Sequence, residues 1–71
     1  MVRLRILEIL EEQHHTKYWL YKQMEMSYQN FNKLVTNQTS SIHFDNLDTI
    51  SKILGVPVGD LFEQTNDDEI L

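Results

Sequence analysis

Residues 16–36, TKYWLYKQMEMSYQNFNKLVT, constrain the fold of this chain more than any other stretch, because they predict two short helices joined by a tight turn. Thr16 and Ser27 each stand where a helix would begin, and the hydroxyl of such a residue can accept a hydrogen bond from an N–H group of the first turn. The turn between the helices falls at Glu25. The inward face of the first helix is then made of Leu20, Tyr21 and Met24.

The second helix of this pair, predicted from about Tyr28 to Val35, has two sides of different chemistry. Because each residue advances a helix by about 100°, Phe31 and Leu34 point inward. The opposite side carries only side chains that form hydrogen bonds: Tyr28, Gln29, Asn32, Lys33 and Thr36. A helix of this kind packs into its own fold with one side and can contact a second molecule with the other, although the same pattern also fits a plain solvated face.

The residues before this pair predict one further helix. Residues 2–13 are the candidate, because Val2, Ile6, Ile9 and Leu10 recur at helical spacing, and we expect the helix to run from about Leu4 to residue 13. The first residues, VRLRI, also alternate with a period of two, so an extended arm is the alternative for them.

The residues after the pair predict two more helices. Asn37 tolerates the left-handed backbone that ends a helix, and the loop after it leads to a fourth helix from about Phe44 to Leu54, which stops at Gly55. Pro57 fits the first turn of a short fifth helix. The inward residues of these two helices are Leu47, Ile50 and Leu54, and then Val58, Leu61 and Phe62. From Gln64 onward the chain is polar and acidic, and we expect residues 64–71 to be a frayed tail.

Composition narrows the class of protein. At 71 residues the chain predicts one domain, which buries only about 60% of its unfolded surface. It contains no cysteine, which excludes disulfides and thiolate metal sites and suits the reducing cytoplasm, where we expect the protein. No apolar run approaches the roughly 20 residues of a membrane span. Two glycines and one proline disfavour an all-β fold.

The net charge of −5 is unevenly distributed. Residues 16–44 carry three lysines against one glutamate, a net charge of +2, whereas residues 45–71 carry one lysine against seven acidic residues, a net charge of −6. Charges separated by more than about 8 Å are largely screened at physiological salt. A mildly basic surface on residues 16–44 is therefore compatible with an acidic chain.

The whole pattern resembles the Cro/C1-type (XRE-like) DNA-binding domains. The resemblance covers about residues 4–63 and rests on TKYWLYKQMEMSYQNFNKL, on the loop NQTSSI, and on FDNLDTISKILGVPVGDLF. It implies an all-α fold, a compact five-helix bundle of the lambda-repressor-like type, in which helices two and three form a helix-turn-helix. The domain would span residues 1–63. The family's buried turn-stabilising positions are here Leu20, Met24, Met26, Phe31 and Leu34.

Several residues depart from the family pattern. The family's usual glycines are replaced here by His14, Glu25 and Asn37, its usual alanine in helix two by Tyr21, and an apolar residue by His15. A residue with a side chain loses about 1–2 kcal/mol in the left-handed conformation that glycine adopts freely. We therefore predict a strained turn at Glu25 with positive φ.

The resemblance implies that helix three lies in the major groove of duplex DNA. The base edges would be contacted by Tyr28, Gln29, Asn32 and Lys33, because amide side chains pair with adenine and lysine donates to guanine. The implied phosphate contacts are Lys17, Ser27, Thr36, Asn37, Gln38, Thr39 and His43. We expect a sequence-specific transcriptional regulator, a repressor, that binds double-stranded DNA as a homodimer. The sequence does not locate the dimer interface, whose candidates are Leu4, Leu7, Trp19, Leu61, Phe62, Ile70 and Leu71.

The alternative is a protein-interaction module of the same fold, antitoxin-like or antirepressor-like, with weak DNA binding or none. It would bind another protein through its acidic C-terminal third. The acidic pI, the presence of only three lysines in residues 16–44, and Glu25 in the turn favour it, and a negative face on helix three would indicate it. An enzyme is not expected, because the sequence has no Ser/His/Asp arrangement and no glycine-rich phosphate loop. We expect no cofactor, no small-molecule ligand, and no metal site at His14, His15 and His43.

Overall fold

Four α-helices and a pair of short antiparallel strands make up residues 1–65, the part of the chain that the structure, a computed structural model, describes. In chain order these elements are β1 (Val2–Leu4), α1 (Ile6–Glu12), α2 (Lys17–Tyr21), α3 (Tyr28–Val35), α4 (Phe44–Leu54), a 3₁₀ helix (Val58–Leu61) and β2 (Phe62–Gln64). The strands pair Val2 with Gln64 and Leu4 with Phe62. They therefore bring the beginning and the end of the described chain together.

One cluster of buried apolar side chains connects the helices and the sheet. Its members are Leu4, Ile6, Ile9, Leu10, Leu20, Met24, Phe31, Leu34, Val35, Leu47, Ile50, Leu54 and Leu61. Full burial of one such side chain contributes about 1.5–3 kcal/mol to folding. Helix α3 supplies Phe31, Leu34 and Val35 to this core, so its orientation is set by packing and not by its own helix propensity.

The bounds of α3 and α4 match the prediction. Each of the predicted hydroxyl caps is present, since Thr16 Oγ1 accepts a hydrogen bond from Trp19 N at 3.0 Å and Ser27 Oγ accepts one from Asn30 N at 3.2 Å. Gly55 ends α4 in the left-handed conformation with φ 69°. Asn37 follows α3 with φ 61°, as its residue type predicted.

The expectation of an all-α, five-helix bundle is wrong at the C-terminal end. The predicted fifth helix is one turn of 3₁₀ helix, and Phe62 leaves it with an extended backbone, φ −113° and ψ 152°. Phe62 then pairs with Leu4 in the sheet. The fold is therefore mostly helical, with four α-helices and a small strand pair among residues 1–65.

The first helix also begins later than predicted. α1 starts at Ile6, because Leu4 belongs to β1 and the N–H of Arg5 donates to the carbonyl of Leu61 at 2.8 Å. For the first residues, the alternating pattern had left an extended arm as the alternative to a helix, and the extended structure is the correct one. Leu4 is nevertheless buried, since it points from the strand into the core.

The connection between α2 and α3 differs from the predicted turn at Glu25. Helix α2 ends at Tyr21, and residues 22–26 form a longer connection. Within residues 1–65, the non-glycine residues with positive φ are His14 and Asn37, each at 61°. Glu25 therefore has an ordinary backbone, and the prediction that it needs positive φ is wrong. The reversal of direction is spread over several residues, so none of them needs the left-handed conformation.

Burial removes some of the candidates for a dimer interface. Leu4 and Leu61 are core residues with 7% and 0% of their surfaces exposed, so neither can contact a second copy. Leu7 is exposed, and Trp19 and Phe62 pack partly against the core. Ile70 and Leu71 lie outside the described residues.

The predicted tail overlaps the sheet, because Gln64 lies in β2. The part of the predicted tail from residue 66 to residue 71 lies outside the described residues. Within residues 1–65, none of the helices has the length and hydropathy needed to cross a membrane.

Candidate nucleic-acid interface

Helix α3 buries its apolar side and exposes its polar side. On the polar side, Tyr28, Gln29 and Lys33 are exposed and Asn32 is half-buried. These four residues fall within an arc of about 140° around the helix axis. The helix contains no aspartate or glutamate. The structure thus brings the predicted base-contact residues together on one accessible, carboxylate-free face of α3.

Lys17, the first residue of α2, reaches across to this face. Its Nζ donates a hydrogen bond to Asn32 Oδ1 at 2.8 Å and lies 5.6 Å from the centroid of the Tyr28 ring. An ammonium group over an aromatic face is attracted by the negative face of the ring. Lys17 therefore joins α2 to two of the predicted base-contact residues.

Tyr21 of α2 packs between Tyr28, on the polar face of α3, and the buried core. Its ring meets Tyr28 edge-on, with centroids 5.0 Å apart and planes at 89°, and lies 5.4 Å from the ring of the buried Phe31. Edge-to-face pairs at this distance are favourable. The bulky residue in place of the family's small one is thus accommodated at the side of α2, where it connects the first residue of α3 to the core.

A polar cavity of about 430 Å³ lies between α3 and the start of α4. Lys33 and Asn30 line it from α3, and Asn46 of α4 and His43, which precedes α4, line it from the other side. Asn30 and Asn46 were not predicted as site residues. Asn30 lies about 200° from Tyr28 around the helix, between the two faces, so periodicity could not assign it. No signal in the sequence distinguishes Asn46 from an ordinary helical surface residue.

The model of the Cro/C1-type HTH DNA-binding domain family matches residues 5–67 of this chain. The chain belongs to this family. The helix-turn-helix of this Cro/C1-type domain is formed by α2 and α3, the pair of helices that carries the polar face.

One solved structure supports the same assignment. The Cro/C1-type domain is similar to the crystal structure of a protein from Bacteroides fragilis that is provisionally described as DNA-binding. The two are 27% identical with a TM-score of 0.76, and the similarity covers 89% of this chain and 100% of that one. No curated protein matches the chain significantly.

The side chains that were predicted to contact phosphate fall into two groups. In the first group, Ser27 uses its side-chain oxygen as the acceptor of the N-cap bond, so its O–H remains free to donate. The exposed side chains of Gln38 and His43 belong to the same group, because they form no hydrogen bond within residues 1–65. In contrast, Thr36 Oγ1 donates to the carbonyl of Asn32 at 2.5 Å, and Thr39 Oγ1 donates to that of Ser41 at 2.8 Å. The structure leaves the first group free for a ligand and engages the second within the fold.

Asn37 is engaged more completely. Its Oδ1 accepts a hydrogen bond from Leu4 N at 2.7 Å, and its Nδ2 donates to Leu4 O at 2.9 Å. The side chain of Asn37 therefore satisfies the backbone N–H and carbonyl of Leu4, on the edge of β1 that does not face β2. We therefore assign Asn37 a structural role in joining the end of α3 to the sheet.

The positive charges of the Cro/C1-type domain are of two kinds. Arg3 and Arg5 form ion pairs with Glu8, Glu12 and Glu63 beside the sheet. Lys52 pairs with Asp48 on α4 at 2.9 Å. The three lysines of residues 16–44 form no ion pair within the described part of the chain; they are Lys17, Lys22 and Lys33. The uncompensated cationic side chains thus belong to the helix-turn-helix and its connection.

The histidines do not assemble a metal site in the region that the structure describes. No group of three metal-ligating side chains is found among residues 1–65. His15 instead stacks flat on Trp19, with ring centroids 3.6 Å apart and planes at 3°. His15 thus fills an apolar position of the family as an aromatic partner of Trp19.

Proposed function

We propose that this Cro/C1-type domain is a sequence-specific transcriptional regulator, a repressor, that inserts α3 into the major groove of duplex DNA. The single observation that carries the proposal is the exposed face of Tyr28, Gln29, Asn32 and Lys33, which contains hydrogen-bonding groups and no carboxylate. The same observation favours DNA binding over the protein-interaction module, for which a negative face on α3 would be expected. The acidic side chains of residues 1–65 lie outside α3, on α1, α4, the 3₁₀ helix and β2 and, at Glu25, in the connection between α2 and α3.

The base contacts come from the part of α3 nearest its N-terminus. Gln29 is exposed, and its side chain has no partner within residues 1–65, so both its amide oxygen and its amide nitrogen can face a base. A glutamine that uses both groups pairs with adenine N6 and N7. Lys33 donates to guanine O6 or N7, or to a phosphate at the edge of the groove.

Phosphate contacts surround this face. Ser27 precedes α3, and Gln38 and His43 lie along the cavity between α3 and α4. His43 is the N-cap residue of the eleven-residue helix α4, whose first N–H groups and dipole attract an anion. These contacts hold the domain in register on the DNA backbone, and they carry no sequence information of their own.

A homodimer on a two-fold symmetric site is part of the proposal. One domain offers few cationic side chains for phosphate contacts, so it should bind DNA weakly. Two domains on one site double the number of contacts and raise the affinity. Half-sites of such a dimer lie about one helical turn, 10–10.5 base pairs, apart.

Selection from a random duplex library at low salt tests the proposal. We expect an enriched motif, and in the dimer case two inverted copies of it at this spacing. The Gln29→Ala variant should lose the preference at one base pair of each copy, a loss of about 1–3 kcal/mol of discrimination. Gln64→Ala, which removes an exposed glutamine of β2, is the matched control and should return the unchanged motif. A selection that returns no motif with the folded 71-residue chain would reject DNA reading in favour of the protein-interaction module.

A further inference from the structure

We infer that Lys17 is a positioning residue that selects which base Asn32 prefers, and that the preferred base is guanine. The inference rests on the proposed function and deepens it. The observation behind it is the hydrogen bond from Lys17 Nζ to Asn32 Oδ1 at 2.8 Å, between two half-buried residues of different helices.

The chemistry of the two groups fixes the orientation of the amide. A lysine ammonium has three donors and no acceptor, so it can bond only the oxygen of the asparagine side chain. The oxygen and the nitrogen of an amide leave the same planar carbon about 120° apart. With Oδ1 turned towards α2, Nδ2 is directed away from Lys17, and it donates to no group among residues 1–65.

This orientation changes what Asn32 can recognise. An asparagine that is free to use both ends of its amide pairs with adenine, because it accepts from N6 and donates to N7. Asn32 offers its two N–H donors, and its oxygen is shared with a cation that repels the N6 amino group. Guanine presents two adjacent acceptors, O6 and N7, and has no major-groove donor of its own. Guanine therefore matches the oriented amide of Asn32 better than adenine does.

The position of Lys17 is itself supported. Its ammonium lies over the Tyr28 ring, and that ring rests edge-on against Tyr21. Lys17 is thus held between Tyr28 and Asn32, on the face that carries the base contacts. Lys22 makes a similar contact with an aromatic ring, 5.6 Å from the centroid of Tyr18, but it is exposed and bonds no residue of α3.

The pair of lysines makes a matched test possible. Library selections are run in parallel with the wild-type chain and with Asn32→Ala, Lys17→Met and Lys22→Met. The Asn32→Ala selection identifies the base pair that Asn32 contacts, because this variant loses the wild-type base preference at that position of the motif. We expect wild type to prefer guanine there, and we expect Lys17→Met to lower that preference about tenfold, the scale of one base contact. Lys22→Met removes the same charge and should keep the guanine preference.

The outcomes separate the inference from the proposed function. A wild-type motif with adenine at the Asn32 position overturns the inference and leaves DNA reading intact, and this result does not depend on whether any lysine variant folds. A Lys17→Met motif that keeps guanine, with affinity reduced equally for all sequences, shows that Lys17 is a plain phosphate contact and also overturns it. Failure of the wild-type chain to select any motif rejects the proposed function, and the inference with it.

Discussion

The side chain of Asn37 hydrogen-bonds both the N–H and the carbonyl of Leu4, 33 residues earlier in the chain. It does so from a left-handed backbone with φ 61° at the end of α3. An asparagine is suited to this place because its amide mimics a backbone donor and acceptor, and because it tolerates left-handed φ better than most residues. One residue thus ends the proposed recognition helix and also completes the edge of the sheet.

Asn37→Ala should lower the free energy of unfolding by about 1–3 kcal/mol, because the variant loses both hydrogen bonds and keeps a side chain in the left-handed region. Asn37→Gly loses the same bonds without the backbone strain and should be less destabilised. Urea unfolding followed by circular dichroism measures both, with the neighbouring Gln38→Ala as the control. Equal stability of Asn37→Ala and Gln38→Ala would contradict the structural role of the amide.

His14→Gly should raise the free energy of unfolding by about 0.5–1 kcal/mol. The substitution relieves about 1–2 kcal/mol of left-handed strain, and the greater freedom of glycine in the unfolded chain offsets part of that gain. His14 is exposed, so little packing is lost.

Glu25→Gly is the matched comparison, and its expected effect has the opposite sign. Because Glu25 has no positive φ, glycine there only adds unfolded-state entropy, at a cost of roughly 0.5–1 kcal/mol. Thermal melts of the two variants and of wild type, run side by side, show whether each substitution raises or lowers the stability. A stabilised Glu25→Gly would mean that the α2–α3 connection has a left-handed residue after all.

Tyr21→Ala should destabilise the fold by about 1–3 kcal/mol, although alanine is the family's usual residue at this position. The variant removes a half-buried ring that contacts both Tyr28 and Phe31, and it leaves a gap beside α2. Phe44→Ala is the control, because Phe44 is 86% exposed and its loss should change stability by no more than about 0.5 kcal/mol. If Tyr21→Ala is as stable as wild type, the aromatic contacts are not what holds Tyr28 against the core.

The salt dependence of binding should be shallow. Each neutralised phosphate contributes about −0.9 to the slope of log K against log salt, and the helix-turn-helix and its connection supply three unpaired lysines. We expect a slope no steeper than about −3 per domain. Fluorescence anisotropy on the selected site between low and physiological salt measures it. A much steeper slope would show that Arg3 and Arg5 leave their glutamate partners to contact DNA.

The starts of α2 and α3 and the end of α4 were predictable because their signals are local. Ser27 caps α3 and Gly55 stops α4, and both signals lie next to the residues whose structure they decide. Thr16 is a similar case for the start of α2. The inward residues of α3 and α4 also followed from helical periodicity, since the core takes one side of each helix.

The sheet was not predictable, because its signals are short and distant from each other. The alternating pattern of VRLRI is too short to distinguish a strand from a helix start. The partner strand of these residues begins at Phe62, where Pro57 and the apolar spacing favoured a helix. Pairing across the whole chain decided between the two, and no local window contains that information.

The candidate site was predicted as a set of residues but not as an arrangement. Helical geometry was sufficient to place Gln29, Asn32 and Lys33 on one face. The bond between Lys17 and Asn32 depends on how α2 crosses α3, which in turn depends on where the ring of Tyr21 packs. The same limit applies to Asn37, whose residue type predicted its backbone and gave no indication of its partner.

The pairing of β1 with β2 has a consequence for the order in which the fold assembles. The contacts within the helix-turn-helix join residues that are close in the chain, whereas the sheet closes a loop that runs from Leu4 to Phe62. Closing a loop of this length costs more chain entropy than forming a local contact, and non-local pairing of this kind slows folding. We therefore expect α2 and α3 to pack early and the strands to pair late. The amide of Asn37 bonds Leu4 of the same strand across 33 residues of chain, so we also expect the end of α3 to become rigid later than the contacts within the helix-turn-helix.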